Sequence, residues 1–220
     1  MLRDSGLGNA ELVLHNGGNL AGGPLTVSEQ LEDPPSNRVA QNIEGVHPTI
    51  LYKGRVKLRV VVLADTHAPR RWKQCPPKVA EHLAEADAIL HAGDVCVPSV
   101  LDELAEFAPV HVVAGNNDGP DVVAWGAPET LELTLEGVNI AMIHDSGQKE
   151  GRLTRMRTRF PKADLVVYGH SHIPMDITGT NLRIFNPGSP TDRRHQPQGT
   201  IGELDIANGQ LLAARIIPVT

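Results

Sequence analysis

Residues 60–67 read V-V-V-L-A-D-T-H. A run of branched apolar residues breaks off at Asp65 and His67. Such a run predicts a strand buried on both faces. In open α/β sheets, ligands bind beyond the carboxyl ends of the strands. Two positions apart on extended chain, Asp65 and His67 point to the same side there. One oxygen donor and one nitrogen donor make half of a metal site, and the remaining chain offers the other half.

The pattern recurs along the body. Apolar runs are predicted as strands at Ala88–His91, Val110–Ala114, Val138–Ile143, Leu165–Tyr168 and Leu182–Phe185. They end in turn at Gly93-Asp94, Gly115-Asn116-Asn117-Asp118, His144, Gly169-His170-Ser171-His172 and Asn186-Pro187-Gly188-Ser189. Helices are expected at Lys78–Ala86, from an N-cap at Ser99 to Phe107, and at Lys149–Phe160. Glu103 sits near the capping-box position of the second helix. Hairpins are expected over Glu136-Gly137 and Asn208-Gly209. Strand–helix alternation followed by hairpins predicts an α/β layered domain.

The chain has 220 residues, 40% of them hydrophobic and only 3% aromatic, so the core is built from Val, Leu, Ile and Ala. At that length one domain is expected. A net charge of −6 argues against a broad basic face for nucleic acid. The two cysteines show no framework spacing, which fits a reducing cytoplasm. No membrane-length apolar run and no secretory h-region is visible. Residues 1–56 break repeatedly at Gly and Pro and read as a loosely ordered N-terminal extension, with the folded domain at 57–220. Short local structure is expected there at Glu11–Leu14 and Leu25–Leu31.

Taken singly, each polar strand-end residue has a plain explanation, such as a turn Asp or a hydrogen-bonded His. Jointly, Asp65, His67, Asp94, Asn116, His144, His170 and His172 supply three oxygen and four imidazole donors at one sheet edge. Seven such ligands exceed one ion and suit two that share a carboxylate. Mixed N and O donors without thiolate fit Mn²⁺, Fe, Zn²⁺, Co or Ni²⁺ better than a pure Mg²⁺ or Ca²⁺ site. Two ions roughly 3.5–4 Å apart can activate water and clamp an in-line phosphoryl displacement.

D-T-H, G-D, G-N-N-D, the isolated His144 and G-H-S-H stand in the order of the calcineurin-like metallophosphoesterases. From about Leu58 onward the chain resembles that family, and its compact length resembles the small prokaryotic phosphodiesterase branch. The resemblance implies a four-layer α/β/β/α sandwich with two mixed sheets. It implies one ion on Asp65, His67 and His172, a second on Asn116, His144 and His170, and Asp94 bridging them. The cofactor would be two divalent ions, Mn²⁺ first, with Ni²⁺, Zn²⁺, Fe or Mg²⁺ as alternatives. The substrate would be a small phosphodiester or nucleotide, with no membrane and no extended nucleic-acid surface involved. A homo-oligomer is compatible with it.

The match departs in one place. Many family members carry His after the motif Asn, where it acts in catalysis. Here Asn117 takes that position, and an amide donates a hydrogen bond but no proton. Asn186 and Ser189 are expected to support the histidine loop. His82, His91, His111 and His195 are expected not to be ligands, and Trp72 and Trp125 to pack. A phosphomonoesterase and a non-catalytic scaffold of the same fold, as in the retromer subunit, are the alternatives.

Overall fold

The computed structural model describes residues 57–220 and, as backbone strands, residues 10–14 and 48–52. These two are β1 (Ala10–Leu14) and β2 (Pro48–Tyr52), which pair antiparallel with each other. The short structure expected at Leu25–Leu31 lies outside the described residues.

The body alternates β3 (Leu58–Leu63), α1 (Pro77–Leu83), β4 (Ala88–His91), α2 (Ser99–Ala105), β5 (Val110–Val112) and α3 (Pro120–Trp125). It continues with the hairpin β6 (Thr130–Leu135) and β7 (Val138–Ile143), then α4 (Arg152–Arg159) and β8 (Leu165–Val167). Strands β9 (Met175–Thr178), β10 (Arg183–Asn186), β11 (Thr200–Ala207) and β12 (Gln210–Pro218) close it. Two sheets result, in the orders β12-β11-β3-β4-β5 and β1-β2-β6-β7-β8-β10-β9. Both mix parallel and antiparallel pairs.

Strand β3 shows why the layers stack as they do. Val60 and Val62 face the second sheet, where they meet Ile140, Met142, Val167 and Phe185. Val61 and Leu63 face the other way, onto Val79 and Leu83 of α1 and Leu101 and Leu104 of α2. A strand buried on both faces reads as a continuous apolar run, as here. The outer face of the second sheet is covered by α4, whose Met156 packs beside Phe160 on Val166 and Ile184. The order is therefore helix, sheet, sheet, helix, the four-layer α/β/β/α sandwich.

Both hairpins turn on residues with positive φ, 45° and 86° at Glu136 and Gly137, and 52° and 71° at Asn208 and Gly209. That is the requirement of a type I′ turn. Other expectations are revised. Ser99 is the first helical residue and Pro98 precedes it as the cap, with no side-chain cap bond. Glu103 closes no capping box. Its carboxylate instead accepts Trp72 Nε1–H and the Cys75 N–H, both at 2.7 Å, and so ties the loop after His67 to α2. Helix α3 and strand β9 were not expected from sequence.

The parallel strands β3, β4 and β5 of one sheet, and β7, β8 and β10 of the other, set their carboxyl ends along one edge. There the two sheets are stitched together. His144 Nδ1 lies 2.7 Å from the Ala92 carbonyl, and Ser189 Oγ donates to the Asp65 carbonyl at 2.7 Å. Every residue singled out above as a metal donor lies on this edge.

Candidate metal centre

Asp65 is fully buried just past β3, and its Oδ2 has no hydrogen-bond partner. Its other oxygen accepts the His170 N–H at 3.2 Å and stands 3.4 Å from His172 Nε2. Burial raises the Asp65 carboxyl to about 7, with His144 pulling it back down and Asp94 adding to the rise. A carboxylate oxygen left bare in the interior is costly unless a cation meets it.

The imidazoles around it face one another with acceptor atoms. His172 Nδ1 is bonded to the Asp192 carbonyl, so Nδ1 carries the proton and Nε2 a lone pair. That Nε2 lies 3.2 Å from His67 Nε2, and the two rings stack at 5.1 Å. Burial lowers the proton affinity of both rings, which keeps the lone pairs available. Asp65, His67 and His172 thus bring one donor atom each within 4.8 Å of one another.

A second focus lies beside the first. His144 Nδ1 is committed to the Ala92 carbonyl, which turns Nε2 toward Asn116 Oδ1 at 3.1 Å and Asp94 Oδ1 at 3.4 Å. Two acceptors at 3.1 Å need a proton or a cation between them. Burial disfavours a charged His144, but the bond and charge of Asp94 outweigh it and raise its pKa. Asp94 itself is disfavoured by burial as a carboxylate, yet His144 and Asn117 hold it well below the usual carboxylate range. His170 Nδ1 completes the group at 2.8 Å from Asn116 Oδ1. Asp94 spans the two foci, with Oδ1 toward His144 and Oδ2 3.6 Å from His67 Nε2. The donor set, the bare oxygen and the opposed lone pairs fit divalent cations.

This arrangement is held by unusual backbone. Asp65, His67, Asp94, His170 and His172 all have φ between 50° and 65°. Non-glycine residues seldom adopt that region, and such strain clusters at functional sites. Gly93, at φ 89°, leaves no room for a side chain, because a Cβ there would lie 2.7 Å from His144 Nδ1. A Cβ on Gly115 would meet the Asp94 nitrogen and Oδ1 at 2.3 Å.

The model of the calcineurin-like phosphoesterase superfamily domain matches residues 58–209. The chain belongs to the calcineurin-like phosphoesterase superfamily. A probable metallophosphoesterase of the archaeon Methanothermobacter thermautotrophicus is 32% identical over 159 residues, covering 71% of this chain and 90% of that one. Vacuolar protein sorting 29 of Cryptosporidium parvum shares the fold at TM-score 0.58 and 22% identity, over 74% of this chain and all of the other. An archaeal phosphodiesterase shares it at TM-score 0.56 and 20% identity, over 73% of this chain and 99% of the other. As a metallophosphoesterase of this superfamily, the chain is a metal-dependent phosphoester hydrolase with a divalent-metal site.

The remaining residues singled out from sequence fall around this phosphoesterase centre. Asn117 donates to Asp94 twice, from its backbone at 2.9 Å and from Nδ2 at 2.7 Å. Asn186 Nδ2 donates to the Gly169 carbonyl at 2.8 Å, and Ser189 Oγ to that of Asp65. His91 is buried against Thr66, with burial lowering its pKa to about 3. His82 pairs with Glu203 at 2.7 Å. Trp72 and Trp125 pack in the helix-side core and donate to Glu103 and Asp102.

Sequence reading passed over Asp118, the last residue of G-N-N-D. Its carboxylate accepts three backbone N–H groups, from Asp94 at 3.0 Å, Gly115 at 2.7 Å and Cys96 at 2.6 Å. It thereby fixes the loops that carry Asp94 and Asn116. An Asp after Gly-Asn-Asn reads as an ordinary turn residue, and only the three-dimensional contact reveals the role. Asp118→Ala is expected to weaken Mn²⁺ binding by about 10- to 100-fold, the usual cost of losing such support, with the fold retained. Isothermal titration beside a melting curve checks it.

Proposed function

We propose that this protein is a dinuclear phosphodiesterase acting on small phosphodiesters or nucleotides. The observation that carries the reading is the pair of foci at the strand ends, each lined by acceptor atoms that face one another. Asp65, His67 and His172 hold one ion, Asn116, His144 and His170 the other, and Asp94 spans both. Mn²⁺ is the first choice of metal, because imidazole and carboxylate donors without thiolate suit it. Two such ions, when bound, supply charge to the phosphoryl oxygens and make water acidic enough to act as nucleophile near neutral pH.

The chain's own residues then set the reaction's limits. Asn117 aligns Asp94 and donates a hydrogen bond, but it has no proton to give a leaving group. General acid help is worth roughly 10²–10⁴-fold, so substrates with good leaving groups are favoured. Asn186 and Ser189 brace the loops of His170, His172 and Asp65. The catalytic domain spans residues 57–220, preceded by an extension, and works in the cytoplasm. Among the described residues no helix is long and apolar enough to cross a membrane.

A solved archaeal protein of this fold is described as a phosphodiesterase, which supports the diester reading. A vacuolar sorting protein also has this fold, so a non-catalytic scaffold is the second reading. Fold alone does not separate the two. The intact donor set favours the hydrolase, since a scaffold gains nothing from burying a bare carboxylate oxygen.

The test is hydrolysis of bis-p-nitrophenyl phosphate beside p-nitrophenyl phosphate, with metal-stripped protein reloaded with Mn²⁺, Ni²⁺, Zn²⁺ or Mg²⁺. Metal-dependent turnover favouring the diester is expected. A preference for the monoester would make the protein a phosphatase. No turnover and no bound metal would leave the scaffold.

A further inference from the structure

His91 is fully buried, and the metal centre does not use it. It ends β4 between Leu63 and Val112, both of which belong to the apolar core under α1 and α2. Burial keeps its ring neutral. Nε2 lies 3.2 Å from Thr66 Oγ1, while Nδ1 has no hydrogen-bond partner among the described residues. A polar atom left bare in the core is costly, and a leucine would fill the place without that cost. What the ring gains in return is its contact with Thr66.

Thr66 is fully buried as well, and it stands between two of the metal donors, Asp65 and His67. Those two neighbours have φ of 56° and 50°. Non-glycine residues keep that conformation only where the surroundings over-determine it. The backbone supplies part of the hold. Asp65 N–H donates to the Gly93 carbonyl at 2.9 Å, and His67 N–H to that of Asp94 at 3.0 Å. The Thr66 carbonyl accepts Thr191 Oγ1–H at 2.9 Å. The Thr66 hydroxyl is held separately, and His91 is its partner among the described residues.

A side chain flanked by two strained residues governs both of them. When Thr66 rotates, the peptides on either side rotate with it. The Asp65 carboxylate and the His67 ring then change their mutual angle, and with it the point where their donor atoms converge. Contacts behind the donors are what orient them toward an ion.

We propose that Thr66 and His91 are positioning residues of the first focus, a buried pair that sets the angle at which Asp65 and His67 meet one cation. The proposal rests on the reading of Asp65, His67 and His172 as the holders of one ion, and adds the contact from the core that aligns two of them. Neither Thr66 nor His91 touches the ion or the substrate. Both act through Asp65 and His67.

Mn²⁺ is the probe, titrated calorimetrically into the full-length, metal-stripped protein, with urea unfolding of the same samples. The variants are T66V, T66S, H91L and the double variant T66V/H91L. Each of T66V and H91L leaves the other partner bare and is expected to lose stability. The double variant removes both partners and is expected to regain it, since an apolar pair can replace a buried polar one at little cost. Affinity is expected to follow a different course. One of the two Mn²⁺ steps weakens by about 10- to 100-fold in T66V, in H91L and equally in the double variant. T66S, which keeps the hydroxyl, stays near wild type. Affinity that returns with stability in the double variant would reduce the pair to packing and overturn the proposal. So would wild-type affinity in T66V, or a loss in T66S as large as in T66V. Where a single variant fails to fold, the double variant carries the test. Diester turnover in the same samples reads the hydrolase separately. A wild type that shows this pattern of Mn²⁺ binding yet cleaves no ester supports the pair and sinks the hydrolase. Metal-dependent turnover with Mn²⁺ affinity indifferent to T66V does the reverse.

Discussion

Asp94→Ala is expected to abolish diester hydrolysis and to leave at most one Mn²⁺ per chain. Asp94 faces both foci, with its two oxygens 3.4 Å from His144 and 3.6 Å from His67. It is held there by both N–H groups of Asn117 and by the closeness of Gly115, where no side chain fits. The ions contribute several kcal/mol of charge stabilisation. At about 1.4 kcal/mol per factor of ten, losing one and misplacing the other costs about 10³-fold or more. Metal content by mass spectrometry and turnover in the same preparation check it, with a melting curve to show the variant folds. Two ions retained in Asp94→Ala would remove the bridging role.

Asp65→Asn is expected to have opposite effects on stability with and without metal. In the metal-free protein the Asp65 carboxyl sits near 7 rather than 3.8, because burial penalises its charge. A raised folded pKa means that the folded state holds the proton more tightly than the unfolded chain. This group's contribution is therefore fully present below about pH 3.8, falls as pH rises toward 7, and is flat above. The slope is about 1.4 kcal/mol per pH unit. An amide removes that charge but leaves one N–H without an acceptor, which offsets about 1–3 kcal/mol. The metal-free variant is thus expected to be more stable than wild type at pH 8, by on the order of 2 kcal/mol, with the gap closing toward pH 4. Adding Mn²⁺ reverses the ranking, because wild type, with both foci intact, gains more stability by binding than the variant does. Urea unfolding at both pH values, with and without Mn²⁺, measures it. A metal-free variant less stable than wild type at pH 8 would mean that Asp65 is already compensated.

The seven candidate donors could be picked out because each follows an apolar run, and a sheet brings such strand ends to one edge. The layered fold followed from the same runs, down to the positive-φ turns at Glu136-Gly137 and Asn208-Gly209. What escaped had no local signal. Helix α3 carries Val122 and Val123, which disfavour helix, over only six residues. Strand β9 is four residues at a sheet edge and takes its form from pairing with β10. Strand β2 owes its place to pairing with β1 on one side and with β6 on the other. Glu103 looked like a cap because spacing is local, whereas its partners Trp72 and Cys75 lie 31 and 28 residues away. Asp118, Thr191 and Asp192 support the centre through backbone groups, which leave no mark on residue type.

The most direct measurement is anomalous diffraction from crystals of the wild-type protein grown with Mn²⁺. Two peaks are expected, one among Asp65, His67 and His172, the other among Asn116, His144 and His170, with Asp94 between them. A single peak, or none, would contradict the dinuclear centre.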